Sequence, residues 1–413
     1  MASSKRTVAI VGAGEAGLQL GCGLLDKGYE VVLVQDRTVE EIARGRAMSS
    51  QCLFGDALRD EAELRLNFWD DVCPALGSID FAVAATDGSG GKAIAWNGPL
   101  DRPAGSVDQR LKFPAWMKEF ERRGGKLVIR DVCAVDMDCR ARDFDLVVVA
   151  AGRGGICKLF ERDVARSPFA KPQRALALTY VHGMKPRQDH SAVNFNLIPG
   201  VGEYFVFPAL TLSGPCDIMV FEGVPGGPMD CWKDVKDPAE HLAQSKKILE
   251  TFLPWEAERC RAVELTDANG ILSGCVAPTV RKPIGRLPTG KTVLGLADVV
   301  VLNDPITGQG SNSASKAAKI YLDAILAHGD KPFDEAFMQA TFDAYWAYAQ
   351  YVTGWTNAFL QPPPPHVLNL LGAMQSFPAL AKRFVNGFDE PRDLFPWLAV
   401  PEEAEKYLHQ LAA

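Results

Sequence analysis

Hydrophobic patterning begins with a short β-branched run, Thr7 to Val11. The segment Gly12-Ala13-Gly14-Glu15-Ala16-Gly17 follows, and then apolar positions at Leu18, Leu20, Leu24 and Leu25. This predicts a strand, a glycine turn and a helix, with Gly28 as the helix stop. A second strand is predicted from Tyr29 to Val34, ending at Gln35-Asp36. The run from Asp145 to Ala151 is almost continuously apolar, as expected of a parallel strand covered on both faces, and it ends in a glycine-rich turn from Gly152 to Gly155. From about Ala177 to Glu222 the pattern changes. Short runs such as Tyr204-Phe-Val-Phe207 and Ile218-Met-Val-Phe221 are separated by Pro and Gly, which predicts an antiparallel sheet over a ligand cavity. Lys291 to Asp298 reads as another strand, and Ser311 to His328 as a helix closed by Gly329. The tail beyond Asp330 is helical in pattern, interrupted by Pro362 to Pro365 as a stiff connector.

A Rossmann-like dinucleotide-binding domain is expected to gather residues 1–45, 105–165 and 285–330. Residues 46–104 and 165–285 would form an antiparallel-sheet substrate domain. Residues 331–413 would form a C-terminal helical region covering the nucleotide domain. The fold class is therefore α/β, with the two domains interleaved.

Composition narrows the chemistry. The net charge is −7, with 44 basic against 51 acidic residues, which argues against a polyanion-binding face, so nucleic acid is not an expected partner. The 10 cysteines form no C-x-x-C pair and the 6 histidines are dispersed, so no metal site is expected. Scattered thiols of this kind suit a cytoplasmic protein. No uncharged apolar run approaches the roughly 18 residues that a membrane-spanning helix needs, and no apolar targeting core precedes Thr7.

The glycine motif carries the first specific chemistry. Gly12 permits a tight turn, Gly14 lets backbone approach a pyrophosphate, and Gly17 lets the helix pack against the strand. The helix N-terminus, including Glu15 and Ala16, then offers free N–H groups and a positive dipole to the diphosphate. Asp36 lies where a carboxylate bonds ribose hydroxyls, and Arg37 follows it. This motif alone does not separate FAD from NAD. A second motif does: Gly295-Leu-Ala-Asp298, then Asp304-Pro305-Ile-Thr-Gly308-Gln-Gly310-Ser311-Asn312 opening a helix. This is similar to the G-D and P-x-x-G-x-G signature of flavoprotein hydroxylases of the para-hydroxybenzoate hydroxylase type. There the aspartate binds the ribityl chain and the helix N-terminus faces the flavin pyrimidine, favouring the anionic reduced ring. No second glycine motif follows a strand; Gly88-Ser-Gly-Gly91 reads as a turn.

The chain as a whole resembles the styrene and indole monooxygenases, two-component FAD-dependent epoxidases. The resemblance rests on Gly12 to Gly17, Asp36-Arg37, Val107-Asp108-x-Arg110-Leu111, Arg123-Gly-Gly-Lys126, Ser167 to Leu176, Asp304 to Gly310 and Trp355-Thr-Asn357. Ser49-Ser50, in place of the styrene branch's Asn-Thr, and Gly223 to Trp232 look more like the indole branch. By this resemblance Arg46 and Arg110 lie near the flavin. Ser49, Ser50 and the Pro305 carbonyl position the reacting groups, and no side chain serves as catalytic acid. The resemblance also implies that a separate NADH-dependent reductase supplies reduced FAD. With O2 the reduced FAD forms a C4a-hydroperoxide, whose distal oxygen epoxidises the 2,3-bond of indole, leading to indoxyl and indigo, or a styrene-like alkene. It leaves a homodimer open. The competing readings are a single-component aromatic hydroxylase reduced directly by NAD(P)H, a halogenase, whose W-x-W-x-I-P motif this chain lacks, and a flavin-binding redox sensor.

Overall fold

The computed structural model describes residues 5–412 apart from 132, 135–136, 138–140, 153 and 188–189. A six-stranded sheet runs in the order Ile284–Arg286, Thr292–Gly295, Leu146–Val149, Thr7–Val11, Glu30–Gln35 and Lys126–Ile129. All its pairings are parallel except that between the first two strands. Its central strands are apolar on every residue because both faces are covered: Val8, Ile10 and Val148 have no solvent exposure. The Glu15–Asp26 and Gly310–His328 helices pack against each other, with Gly23 providing the close approach to Leu322. As expected from sequence, Gly28 ends the first helix with a positive φ of 84°.

The second sheet has eight strands. Its path is Glu264–Leu265, Ala175–His182, Gly214–Gly223, Gly202–Thr211, Ala192–Ile198, Leu76–Ala84 and Lys92–Ala104, with Ile271–Gly274 also pairing with Ala175–His182. It is antiparallel except where Leu76–Ala84 runs parallel to Ala192–Ile198. Gly88 to Gly91 lies in the connection between Leu76–Ala84 and Lys92–Ala104, as a turn. Period-two alternation divides the sheet's side chains between two cores. Phe195, Phe205, Phe207, Ile218 and Val220 belong to one. Tyr204, Val206, Met219 and Phe221 belong to the other, with Ile248 and Leu249 of the Pro238–Phe252 helix.

The C-terminal helices depart from the sequence expectation. Glu335–Phe359 bridges both sheets, placing Phe342, Tyr345 and Tyr348 in the nucleotide-domain core and Trp355 in the substrate-sheet core. The helices beyond it cover the substrate sheet, not the nucleotide domain. Leu370, Leu371, Phe384 and Val385 bury its aromatic face, which includes Phe81 and Trp96. That face would otherwise be a large exposed apolar patch. Among the described residues no helix is long and apolar enough to cross a membrane. No group of three or more potential metal ligands occurs among them either.

Candidate functional site

A cleft of about 490 Å³ opens at the carboxyl ends of the parallel strands, where ligands bind in open α/β sheets. The glycine motif lines it, and each glycine meets a different constraint. A Cβ on Gly12, whose φ is +113°, would come within 2.7 Å of the Ala151 backbone. A Cβ on Gly17 would lie 1.9 Å from the Gly12 carbonyl oxygen. A Cβ on Gly14 would meet no protein atom within 4 Å, so that position is open to the cleft. Open space at the middle glycine, beside the N-terminus of a 12-residue helix, fits a pyrophosphate.

Asp36 and Arg37 sit at the end of the second strand and line the same cleft. From the other side come Asp298, Gly310, Ser311 and Ala314. Ala297 holds a left-handed φ of 54°, costly for a non-glycine residue, and it precedes the cleft-lining Asp298. Glu15 is buried, accepts a hydrogen bond from Gln19 at 2.8 Å and stands 3.6 Å from Lys112 Nζ. Lys112 also pairs with Glu61, which burial raises well above the usual carboxylate range. These groups fit FAD in an extended pose: diphosphate at the first helix, ribose at Asp36, and ribityl chain and ring near Asp298 and the second helix.

A second, apolar pocket lies beside the cleft, lined by Ser50, Cys52, Phe54, Phe205, Phe207, Val220, Glu222, Pro305 and Gly308, among others. Ser49 lines the flavin cleft and Ser50 this pocket, so consecutive residues form the partition between them. The partition is fixed from behind. Tyr180 donates its hydroxyl to the Ser49 carbonyl at 2.9 Å. Asn312 donates to the Cys52 carbonyl at 2.8 Å and accepts from the Phe54 amide at 2.9 Å. A larger apolar cavity, about 920 Å³, shares Phe195 and Ile306 with the pocket and reaches outward to Trp355, Leu360 and the Pro362–Pro364 connector.

Not every residue singled out from sequence reaches these cavities. Arg46 is exposed and does not line the cleft; Met48 and Ser49 of the same segment do. Arg110 is buried among Asp108, Asp267 and Thr211, and its neighbour Gln109 faces the cleft instead. Asn312 is buried and serves as the clamp just described. Sequence reading overlooked a polar cluster at the pocket wall. Arg174 makes two hydrogen bonds to Glu203, at 2.7 and 2.9 Å, and Glu203 pairs across strands with Glu222. Asp304 caps the Pro305 turn and adjoins Glu222. Arg174 lies in the family-like Ser167–Leu176 stretch, the one sequence signal that could have pointed there.

Residues 152–259 match the domain family described as "Styrene monooxygenase A putative substrate binding domain". The chain is 32% identical to the styrene monooxygenase StyA of Pseudomonas fluorescens over 99% of both chains. It is 31% identical to a StyA from another Pseudomonas, again over 99% of each. In structure it is similar to the flavin-dependent brominase Bmp2, with a TM-score of 0.71 at 15% identity, covering 98% of this chain and 100% of that one. It is also similar to PqsL from P. aeruginosa in complex with 2-aminobenzoylacetate, with a TM-score of 0.65 at 17% identity, covering 91% of this chain and 99% of that one. At these identities the two structures speak for the fold alone. The full-length sequence similarity goes further: the chain belongs to the styrene monooxygenase family of FAD-dependent monooxygenases.

Proposed function

We propose that this protein is the oxygenase component of a two-component system. It takes reduced FAD from a separate NADH-dependent reductase and epoxidises the 2,3-bond of indole, leading to indoxyl and indigo, and also styrene-like alkenes. The observation that carries this reading is the apolar pocket separated from the flavin cleft only by Ser49-Ser50. Bound reduced flavin supplies, with O2, an electrophilic oxygen. The chain's own work is to place an electron-rich C=C bond within reach of it and to keep water out.

Phe54, Phe205, Phe207 and Val220 provide the dry walls. The N-terminus of the 19-residue Gly310–His328 helix favours negative charge on the reduced ring. The Pro305 carbonyl, in the loop between cleft and pocket, is an acceptor for a flavin or substrate N–H. Asp36, Arg37, Asp298 and Ser311 hold the cofactor.

The test is a product assay with purified protein, FAD, NADH, catalase and an unrelated flavin reductase, offering indole and styrene together. Blue pigment with little styrene oxide supports the indole reading, and the reverse moves the substrate to styrene-like alkenes. Rapid NADH oxidation by the protein alone on adding substrate would replace the two-component reading with a single-component hydroxylase.

A further inference from the structure

The apolar pocket has one wall that does not suit a hydrocarbon. Glu222 lies on the same face of its strand as Val220, and both line the pocket. Its side chain has no solvent exposure, and neither carboxyl oxygen meets a donor among the described residues. Directly across the ladder stands Glu203, in a pairing where two like charges oppose each other. Asp304, also buried, adjoins Glu222 and has an unpartnered oxygen, Oδ2. Three carboxyls therefore share one local cation, Arg174, whose hydrogen bonds to this group go to Glu203. Burial raises Glu222 well above the usual range and holds Asp304 up to about 6, so one proton shared between them relieves the charge.

We infer that Glu222 is the substrate's polar anchor: one carboxyl oxygen shares a proton with Asp304, and the other accepts a hydrogen bond from a ring N–H in the pocket. The substrate class this selects is a planar heteroaromatic bearing an N–H, over plain aryl alkenes and N-alkylated analogues. An apolar pocket alone separates such analogues poorly. A buried acceptor left without its donor separates them strongly. The role is one of positioning, since Glu222 takes no part in oxygen transfer. The inference rests on the indole reading above and names the group that would enforce it.

The test compares indole with N-methylindole, both as equilibrium binding to the FAD-loaded protein without reductant and as turnover with a flavin reductase. In the native protein indole should bind at least about tenfold more tightly than N-methylindole. Glu222→Gln keeps an acceptor toward the pocket and an N–H toward Asp304, so it should retain that preference. Glu222→Leu should lose the preference while still binding N-methylindole and converting styrene. Equal binding of the two indoles by the native protein overturns the anchor even if no variant folds. So does an unchanged preference in Glu222→Leu. Failure to oxygenate either indole or styrene, with FAD bound and reduced, sinks the functional reading instead, and the binding ratio still reports on Glu222 separately.

Discussion

A Cβ on Gly17 would sit 1.9 Å from the carbonyl oxygen of Gly12, whereas one on Gly14 would touch nothing. The two glycines therefore serve different ends. Gly17→Ala should push the first helix off the first strand and destabilise the protein by about 2 kcal/mol or more, a cost typical of overpacking. Gly14→Ala should leave the melting temperature of the FAD-free protein unchanged. It should weaken FAD by about tenfold, because its methyl group occupies space meant for the diphosphate. Thermal melts with and without FAD separate the two effects. Equal loss of stability in both variants would mean that the middle glycine is structural as well.

Arg110 shows what burial does to a charged motif residue. Its guanidinium donates to both oxygens of Asp108, at 2.7 and 3.0 Å, and to Asp267 at 2.9 Å, and it is 1% exposed. The Tyr180 ring lies 5.6 Å away, and the Tyr180 hydroxyl holds Ser49. Arg110→Ala leaves buried Asp108 without its counter-ion, which should cost about 3–5 kcal/mol in urea unfolding. FAD affinity of the fraction that remains folded should hardly move. A sharp rise in the FAD dissociation constant with little loss of stability would instead put Arg110 at the flavin.

The parts of this site legible from sequence are those fixed by local backbone rules. Gly12, Gly14 and Gly17 announce themselves because a turn, an open approach and a helix contact each exclude a side chain within six residues. The strand–loop–helix around Asp298 and Gly310 is local in the same way. The direction of a side chain and the register of two strands are not local. Nothing near Arg110 tells the reader that Asp267 will take its second face. The Glu203–Glu222 opposition exists only because the Gly202–Thr211 and Gly214–Gly223 strands pair in one register. The helices after Phe359 show the same limit. Their apolar stripes predict that they bury something, and only the packed sheet shows that it is Phe81 and Trp96.

Asn312 joins the partition to the second motif through three side-chain hydrogen bonds, to Cys52, Phe54 and Gly308. Asn312→Ala strands a buried amide and a buried carbonyl, at a cost of about 1–3 kcal/mol. The consequence for function should be larger than for folding. With the Ser49-Ser50 segment released, water reaches the flavin and more of the O2 consumed ends as hydrogen peroxide. Oxygen uptake measured with and without catalase gives the uncoupled fraction, which should rise while the rate of flavin oxidation is maintained. An unchanged fraction would show that the partition holds without its clamp.

The carboxyl pair also makes stability depend on pH in a stated direction. Burial raises both Glu222 and Asp304, the latter to about 6, so the folded protein holds protons that the unfolded chain releases near the ordinary carboxylate range. Groups of this kind contribute most below their unfolded pKa values, and the contribution is lost as pH rises through the folded ones. The pair should therefore lower stability progressively from about pH 4 to beyond pH 6. Asp217, which burial also holds up to about 6, acts in the same sense. Asp56 and Glu119, both lowered to about 2 by their arginine and lysine partners against the cost of burial, act oppositely at lower pH. The difference between the native protein and Asp304→Asn isolates the pair, since asparagine keeps the oxygen that accepts from the Ile306 amide. Melting temperatures across this range should fall more steeply for the native protein than for the variant, so that the variant gains relative stability as pH rises. Parallel curves would mean that the two carboxyls titrate as they do in water and share no proton.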